Sequence, residues 1–175
     1  MKGADRLRQV AISTPRMAVA LPELSMPGTE MVRLLRICEY GLGAYFEPVF
    51  RLLGLTEHHF HVLCLLMAED SGAASPSELS EMVGTSRANM TRLLEQLAKA
   101  GYVARETHPL DGRRQIIKIT VKGRAKALDT APRLRGPIED AFSDLSDDEF
   151  RVLVRLLRKL ILSLDKQPLR GRVAA

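Results

Sequence analysis

Apolar residues in this chain recur at helical spacing almost throughout and switch once, after Tyr102, to the pattern of paired strands. From Ser86 onward, a step of about 100° per residue places Met90, Leu93, Leu94 and Leu97 on one arc of a helix. Arg87, Thr91, Arg92 and Glu95 fall on the opposite arc, with Asn89 on its shoulder. The preceding segment is explicitly punctuated. Ser75-Pro76-Ser77-Glu78 offers an N-cap serine, proline at the first helical position and a glutamate three residues after the cap. Gly84 suits the left-handed residue that ends a helix, and Thr85 or Ser86 caps the next one. Two short helices joined by a glycine turn predict a helix-turn-helix. Beyond it, the β-branched runs VARETH and IIKIT flank PLDGRRQ, whose Asp111-Gly112 tolerates a tight hairpin turn. The predicted ribbon carries Arg113 and Arg114 at its tip.

The flanking segments read as further helices. Thr56 caps TEHHFHVLCLLMAED, with Phe60, Leu63, Leu66 and Met67 as its expected core face. Leu145 to Glu149 holds a capping box that opens a long helix with Phe150, Leu153, Val154, Leu157, Leu160, Ile161 and Leu164 in one stripe. Val152 and Leu156 widen that stripe, so the helix needs cover from its own domain or from another subunit. A third apolar segment, Gly28 to Leu53, is interrupted by Gly41, Gly43 and Pro48. The expected organisation is an extended basic arm over 1–27, with a turn of helix at most, and a dimerisation helix over 28–54. A DNA-binding domain follows over 55–125, with its recognition helix at about 86–100 and its wing at about 102–120. Dimerisation helices over 126–165 and a polar tail over 166–175 complete it.

Charge sharpens the picture. Arg105 to Lys126 holds seven Lys and Arg against Glu106 and Asp111, a surplus equal to the +5 of the whole chain. A basic ribbon after a helix-turn-helix suits DNA, because each neutralised phosphate releases condensed counterions. Short polar side chains mixed with arginines suit the major groove: Arg pairs with guanine, Asn with adenine, and Thr offers hydroxyl or methyl. The rival reading, a non-DNA interaction module, makes the ribbon an ordinary solvated hairpin. The 175 residues suit one domain with extensions. No apolar run approaches 18 residues, and Met17 to Leu21 is too short for a signal sequence, so a cytoplasmic protein without membrane contact is expected.

Other chemistry finds less support. Cys38 and Cys64 form neither a disulfide framework nor a CxxC pair, and read as buried reduced thiols. Cys38 as a redox sensor, and His58, His59 and His61 with Cys64 as zinc ligands, are the alternative signals. No catalytic triad or phosphate-binding loop is found, so neither an enzyme nor a cofactor is expected.

PSELSEMVGTSRANMTRLLEQLAKAGYVARETHPLDGRRQIIKITVKG resembles, without a gap, the winged helix of the MarR family of bacterial transcription regulators. The family's wing pattern, Asp-x-Arg and then a strand ending Leu-Thr-x-x-Gly, is matched by Asp111-Gly112-Arg113 and by Ile119-Thr120-Val121-Lys122-Gly123. Gly112 stands where the family often has arginine, so a tip contact is absent or comes from Arg114. PSELS with the later SRANMTR is similar to the branch that represses multidrug efflux pumps. The resemblance implies a mainly α fold with a small β-wing, a winged helix-turn-helix domain plus N- and C-terminal dimerisation helices. It implies a homodimer on a pseudo-palindromic operator in double-stranded DNA, read by Ser86, Arg87, Asn89, Thr91 and Arg92. Arg113 and Arg114 would grip from the wing, with Asp111 supporting it. A small aromatic or phenolic effector would bind between the dimer helices and the winged domain. Tyr40, Phe46, Phe60, Cys64 and Met67 are its candidate contacts by helix position and apolar character.

Overall fold

A computed structural model describes residues 2–108 and 111–166, apart from the side chains of His108 and of residues 111–113. The elements run α1 (Gly3–Ala20), α2 (Met26–Leu52), α3 (Glu57–Ala68), β1 (Ala73–Ala74), α4 (Pro76–Val83), α5 (Arg87–Lys99), β2 (Val103–His108), β3 (Asp111–Ile119), α6 (Val121–Ala141) and α7 (Asp147–Lys166). This is a mainly helical fold with one small antiparallel sheet. The described chain divides after Leu134 into two units.

In the first unit, α3, α4, α5 and the sheet close around one core: Val62, Leu63 and Leu66 from α3, Leu79 from α4, and Val103, Ile117 and Ile119 from the strands. The predicted arc of α5 is buried whole, from Met90 to Leu97. On α3 the deepest layer includes Val62, whereas Phe60 and Met67 are half-buried. Phe60 turns instead toward α2, where its ring lies 5.9 Å from Phe50, itself 6.4 Å from Phe46.

The caps form as the sequence predicts. Ser75 Oγ accepts from Glu78 N–H at 3.3 Å, and Ser75 N–H donates to the Glu78 carboxylate at 2.8 Å. Gly84 takes φ 72°, ψ 38°, which a side chain resists, and ends α4. Ser86 Oγ then accepts from Asn89 N–H at 3.2 Å to open α5.

The sheet has the order β1-β3-β2. Val103 pairs with Ile119, and the register runs regularly to Thr107 opposite Gln115. It then shifts, so that His108 faces Asp111. Asp111 and Gly112, expected at the tip, therefore begin β3, and residues 109–110 lie outside the described residues. Register is decided at the base, where Val103, Ile117 and Ile119 enter the core, and not by the turn dipeptide. The two-residue β1 has no sequence signal, since alternation needs more length; it pairs with Lys118 and Ile117.

The ribbon is locked to its surroundings at Thr120. Its N–H donates to Tyr102 O at 3.0 Å, and its hydroxyl lies 2.8 Å from Gly101 O while accepting from Gly123 N–H at 3.0 Å. Gly123 sits so close to Tyr102 that an added Cβ would overlap the Tyr102 carbonyl oxygen.

Three expectations need correction. Residues 3–20 are not an extended arm but helix α1. Only Pro15 lies inside it, and packing offsets the lost bond: Val10 and Thr14 are buried. Arg33 of α2 donates to Thr14 and Ser13 at 2.8 and 2.6 Å. Second, α2 starts at Met26 and runs unbroken through Gly41, Gly43 and Pro48. Each glycine costs a helix only about 1 kcal/mol, and the burial of Phe46 and Phe50 astride Pro48 offsets the larger proline cost. Third, Cys38 and Cys64 are exposed in this chain. Cys64 lies on the far side of α3 from Val62 and Leu66, and the buried residues of α2 are Phe46 and Phe50.

In the second unit, Ser146 and Glu149 form the expected capping box, with Ser146 N–H to the Glu149 carboxylate at 2.9 Å. Phe142 and Phe150 meet edge to face at 5.6 Å. No residue of α7 is buried; Leu156 is 49% and Ile161 59% exposed.

The α4 cap makes a pH prediction. The Ser75 N–H, and then its hydroxyl, hold the Glu78 carboxyl below its ordinary 4.5, so the ionised form favours the folded state. That contribution is complete above 4.5 and is lost as pH falls through the lowered value. Glu78→Gln keeps an acceptor but no charge. Thermal melts should show the gap between wild type and variant closing as the solution is acidified below the carboxylate range; a gap that stays constant would refute the assignment.

Candidate nucleic-acid interface

The first turn of α5 is the exposed end of the helix-turn-helix. Its position follows from local chemistry: Gly84 turns the chain, Ser86 caps it, and the arc from Met90 to Leu97 pins the opposite face to the core. Ser86, Arg87, Thr91 and Arg92 are consequently exposed and Asn89 half-buried, so all five predicted groove residues gather on one surface.

Their side chains are pre-ordered. Asn89 Nδ2 donates to Thr85 Oγ1 at 2.7 Å, and Asn89 Oδ1 accepts from the Arg92 guanidinium at 2.9 Å. Thr91 donates its hydroxyl to Arg87 O at 3.0 Å. The amide of Asn89 is thus engaged on both sides within the protein and braces Arg92, while its second N–H and the second lone pair of Oδ1 remain for a base edge. Thr91, with its hydroxyl hydrogen used, retains its methyl group and an acceptor lone pair.

The wing supplies the second half. Arg105 and Arg114 are exposed, as is Lys118, which lies 3.7 Å from Glu106 across the ribbon. Arg114 adds a small lowering of the Glu78 carboxyl pKa, so its positive field reaches the start of α4. Asp111 and Arg113 belong to β3, but their side chains fall outside the described residues.

A groove of about 850 Å³ opens between α2, the first turns of α3 and the Gly84 turn. Arg36, Tyr40, Gly43 and Glu47 line it from α2, His58 and His61 from α3. A smaller cavity of about 560 Å³ shares Gly43, Glu47 and His58 and adds Phe50 and His59. Of the effector contacts expected from the sequence, only Tyr40 is on a wall of either cavity. Phe46 belongs to the ring stack with Phe50, and Phe60 to its other end. Met67 flanks the core with its sulfur 3.7 Å from the Arg124 guanidinium, and Cys64 is exposed elsewhere on α3. Apolar character selected core packing instead of cavity walls. The useful signal was the stripe Arg36, Tyr40, Gly43, Glu47, at steps of three and four, with a residue lacking a side chain at its centre.

The alternative sensors gain nothing. Although Cys64 is exposed as a residue, partial desolvation by its neighbours pushes its thiol up, away from the reactive thiolate. Arg36, the cation near Cys38 in sequence, is paired with Glu39 at 2.9 Å. Among the described residues no three His, Cys, Asp or Glu side chains are grouped to hold a metal, and no helix is long and apolar enough to cross a membrane.

Comparison with known proteins agrees with this geometry. The profile of the MarR family matches residues 55–114. The transcriptional repressor MprA of Escherichia coli (strain K12) is 30% identical over 145 residues, which span 81% of this chain and 82% of MprA. BpsR of Bordetella bronchiseptica, whose DNA binding is regulated by 6-hydroxynicotinic acid, superposes with a TM-score of 0.66 at 28% identity, covering 73% of this chain and 89% of that one. A mutant MarR of Escherichia coli complexed with operator DNA shares the fold, with a TM-score of 0.69 at 23% identity over 82% of this chain and 96% of that one. With an exposed capped helix, a basic ribbon locked beside it and relatives of this kind, the chain belongs to the MarR family of winged-helix, DNA-binding transcriptional regulators and is not an enzyme.

Proposed function

We propose that this regulator acts in the cytoplasm as a homodimeric repressor that a small effector releases from a pseudo-palindromic operator. The observation that carries the reading is the exposed, pre-ordered first turn of α5 beside the basic ribbon. Two such helices related by a twofold axis enter successive major grooves roughly 34–36 Å apart. Arg87 reads a base edge, Asn89 holds Arg92 toward the groove, and Ser86 and Thr91 contact the adjoining backbone or a thymine methyl. Arg113 and Arg114 anchor the wing, which Asp111 supports.

Dimerisation is supported by apolar surface that remains exposed among the described residues. On α7, Leu153, Leu156, Leu157, Ile161 and Leu164 are each 39% or more exposed, and on α2 so are Met31 and Val32. A second copy is the partner that a twofold DNA site requires.

The effector reading rests on the groove beneath the Gly84 turn. A compound bound among Tyr40, Gly43 and His58 touches both α2 and the entrance to the helix-turn-helix. It shifts the DNA-competent population only by its different affinity for the two spacings of the reading heads. A small aromatic, phenolic or amphipathic compound suits a wall formed by Tyr40 and Leu42, and BpsR provides a precedent in an aromatic acid. Efflux or stress genes are the targets that likeness to MprA suggests.

Three measurements check this. In anisotropy titrations on a duplex selected by the protein, Arg87→Ala should cost on the order of 1–3 kcal/mol and relax base preference. Arg113→Ala should weaken specific and random DNA alike and flatten the salt dependence; identical behaviour of the two variants would refute the division of roles. Ile161→Glu should convert the dimer to monomer in analytical ultracentrifugation and abolish tight operator binding, whereas a dimer that survives removes α7 from the interface. The Tyr40→Ala complex should need at least about tenfold more of a phenol such as salicylate for release than the wild-type complex needs. An unchanged release curve would place the effector elsewhere.

A further inference from the structure

The N-terminus of α3 is capped in an unusual way. Thr56 Oγ1 accepts from His59 N–H at 3.2 Å, and the His59 ring reciprocates, its Nδ1 accepting from Thr56 N–H at 3.3 Å. Glutamate or glutamine ordinarily fills this role. A histidine there has a second ring nitrogen, and it is directed at the recognition helix: Nε2 lies 3.0 Å from Gln96 Oε1 on α5. Since Nδ1 accepts, the neutral ring carries its proton on Nε2 and donates it to Gln96. Both bonds therefore hold only in one tautomer of the neutral ring. One turn before Gln96 stands Arg92, bonded to Asn89, which is bonded to Thr85. The His59 bond thus holds α5 one turn away from the contacts that order its DNA-facing turn, and the His59 ring also walls the smaller cavity.

We propose that His59 is a positioning residue for DNA recognition: its neutral Nε2–H form ties α5 to the cap of α3, and protonation releases that tie and weakens operator binding. Protonated Nδ1 is a donor facing the Thr56 N–H, another donor, so the cap bond is lost; Nε2–H can still donate to Gln96, and release follows because the half-buried charged ring, repelled by Arg92, leaves the site for water. The surroundings favour the neutral form. Burial of the ring lowers its pKa from 6.5; the Gln96 bond opposes this, while the charge of Arg92 and the neighbouring His58 add to the lowering. The charged and titratable groups around it are Arg92 from α5, Glu57 and His58 from its own helix, and Glu47 and Arg51 from α2 across the cavity. With the pKa of the ordered state below 6.5, the tie is complete above 6.5 and is lost as pH falls through the lowered value.

The sign makes the inference testable. Added positive charge on a DNA-binding protein by itself strengthens attraction to phosphate, so acidification should raise affinity. A fall in affinity requires a change in geometry. The inference rests on α5 being the DNA-reading helix, which Arg87→Ala tests separately.

The experiment is anisotropy titration of the full chain on its selected duplex, at constant ionic strength, from about pH 7.5 to about pH 5.5. Wild type should lose roughly three- to tenfold in affinity. His59→Gln, which keeps a capping side chain, should be flat with pH. Gln96→Ala should be weak at neutral pH and equally flat. Should His59→Gln fail to fold by circular dichroism, the wild type decides: the NMR titration of the His59 ring must coincide with the loss of affinity. Affinity that rises or stays constant on acidification, a loss that survives in folded His59→Gln, or a ring titration away from the affinity change would each overturn the proposal.

Discussion

The joint at Thr120 is the constraint on which the DNA-facing surface depends. One hydroxyl and one backbone N–H tie the chain to Gly101 and Tyr102, at the end of the recognition helix, while Gly123 leaves no room for a Cβ against the Tyr102 carbonyl oxygen. Lys122 adds a bond from its ammonium to Ala100 O at 2.8 Å. Because β2 starts at Val103 and α6 at Val121, this joint is where the recognition helix, the ribbon and the helix leading to the second unit meet. A change in helix direction here alters the position of the wing in the same movement. In the proposed mode of binding, base reading and phosphate anchoring are therefore two functions of one element, supported by the core under Met90, Leu94 and Ile117.

The same geometry explains why the regulator's output is simpler to see than its input. Arg87, Arg92 and Arg114 stand on exposed ends of elements whose buried faces are fully specified. The groove under the Gly84 turn is formed largely by residues outside the core: Tyr40 is 63% exposed, and no atom lies within 4 Å of where a side chain at Gly43 would begin. A site made of space and polar edges leaves little trace in hydrophobic periodicity. His59 illustrates the point, since its role depends on Gln96, a residue distant in sequence that no spacing rule connects to it.

Local chemistry was legible wherever a few neighbouring residues complete their own hydrogen bonds. The boxes at Ser75 with Glu78 and at Ser146 with Glu149, the turn at Gly84 and the cap at Ser86 all form as their spacing implies. The buried arc of α5 was equally clear, because one periodic face met one core. Prolines misled where they were read without their partners. Pro15 suggested an extended arm, yet Arg33, Thr14 and Val10 stabilise α1 against α2. Pro48 suggested a break, yet aromatic packing carries α2 through it.

By itself, then, the sequence determined the helix-turn-helix, the existence of the ribbon, the basic character of its surface and the family, since each is encoded within some fifty consecutive residues from Pro76 to Gly123. Tertiary structure alone decided the register that draws Asp111 and Gly112 into β3, the exposure of Cys38 and Cys64, the helical state of residues 3–20 and which residues wall the groove. The physical reason is common to all four. Each depends on which surface an element turns toward a distant partner, and that choice is settled by packing between segments and not by propensity within one.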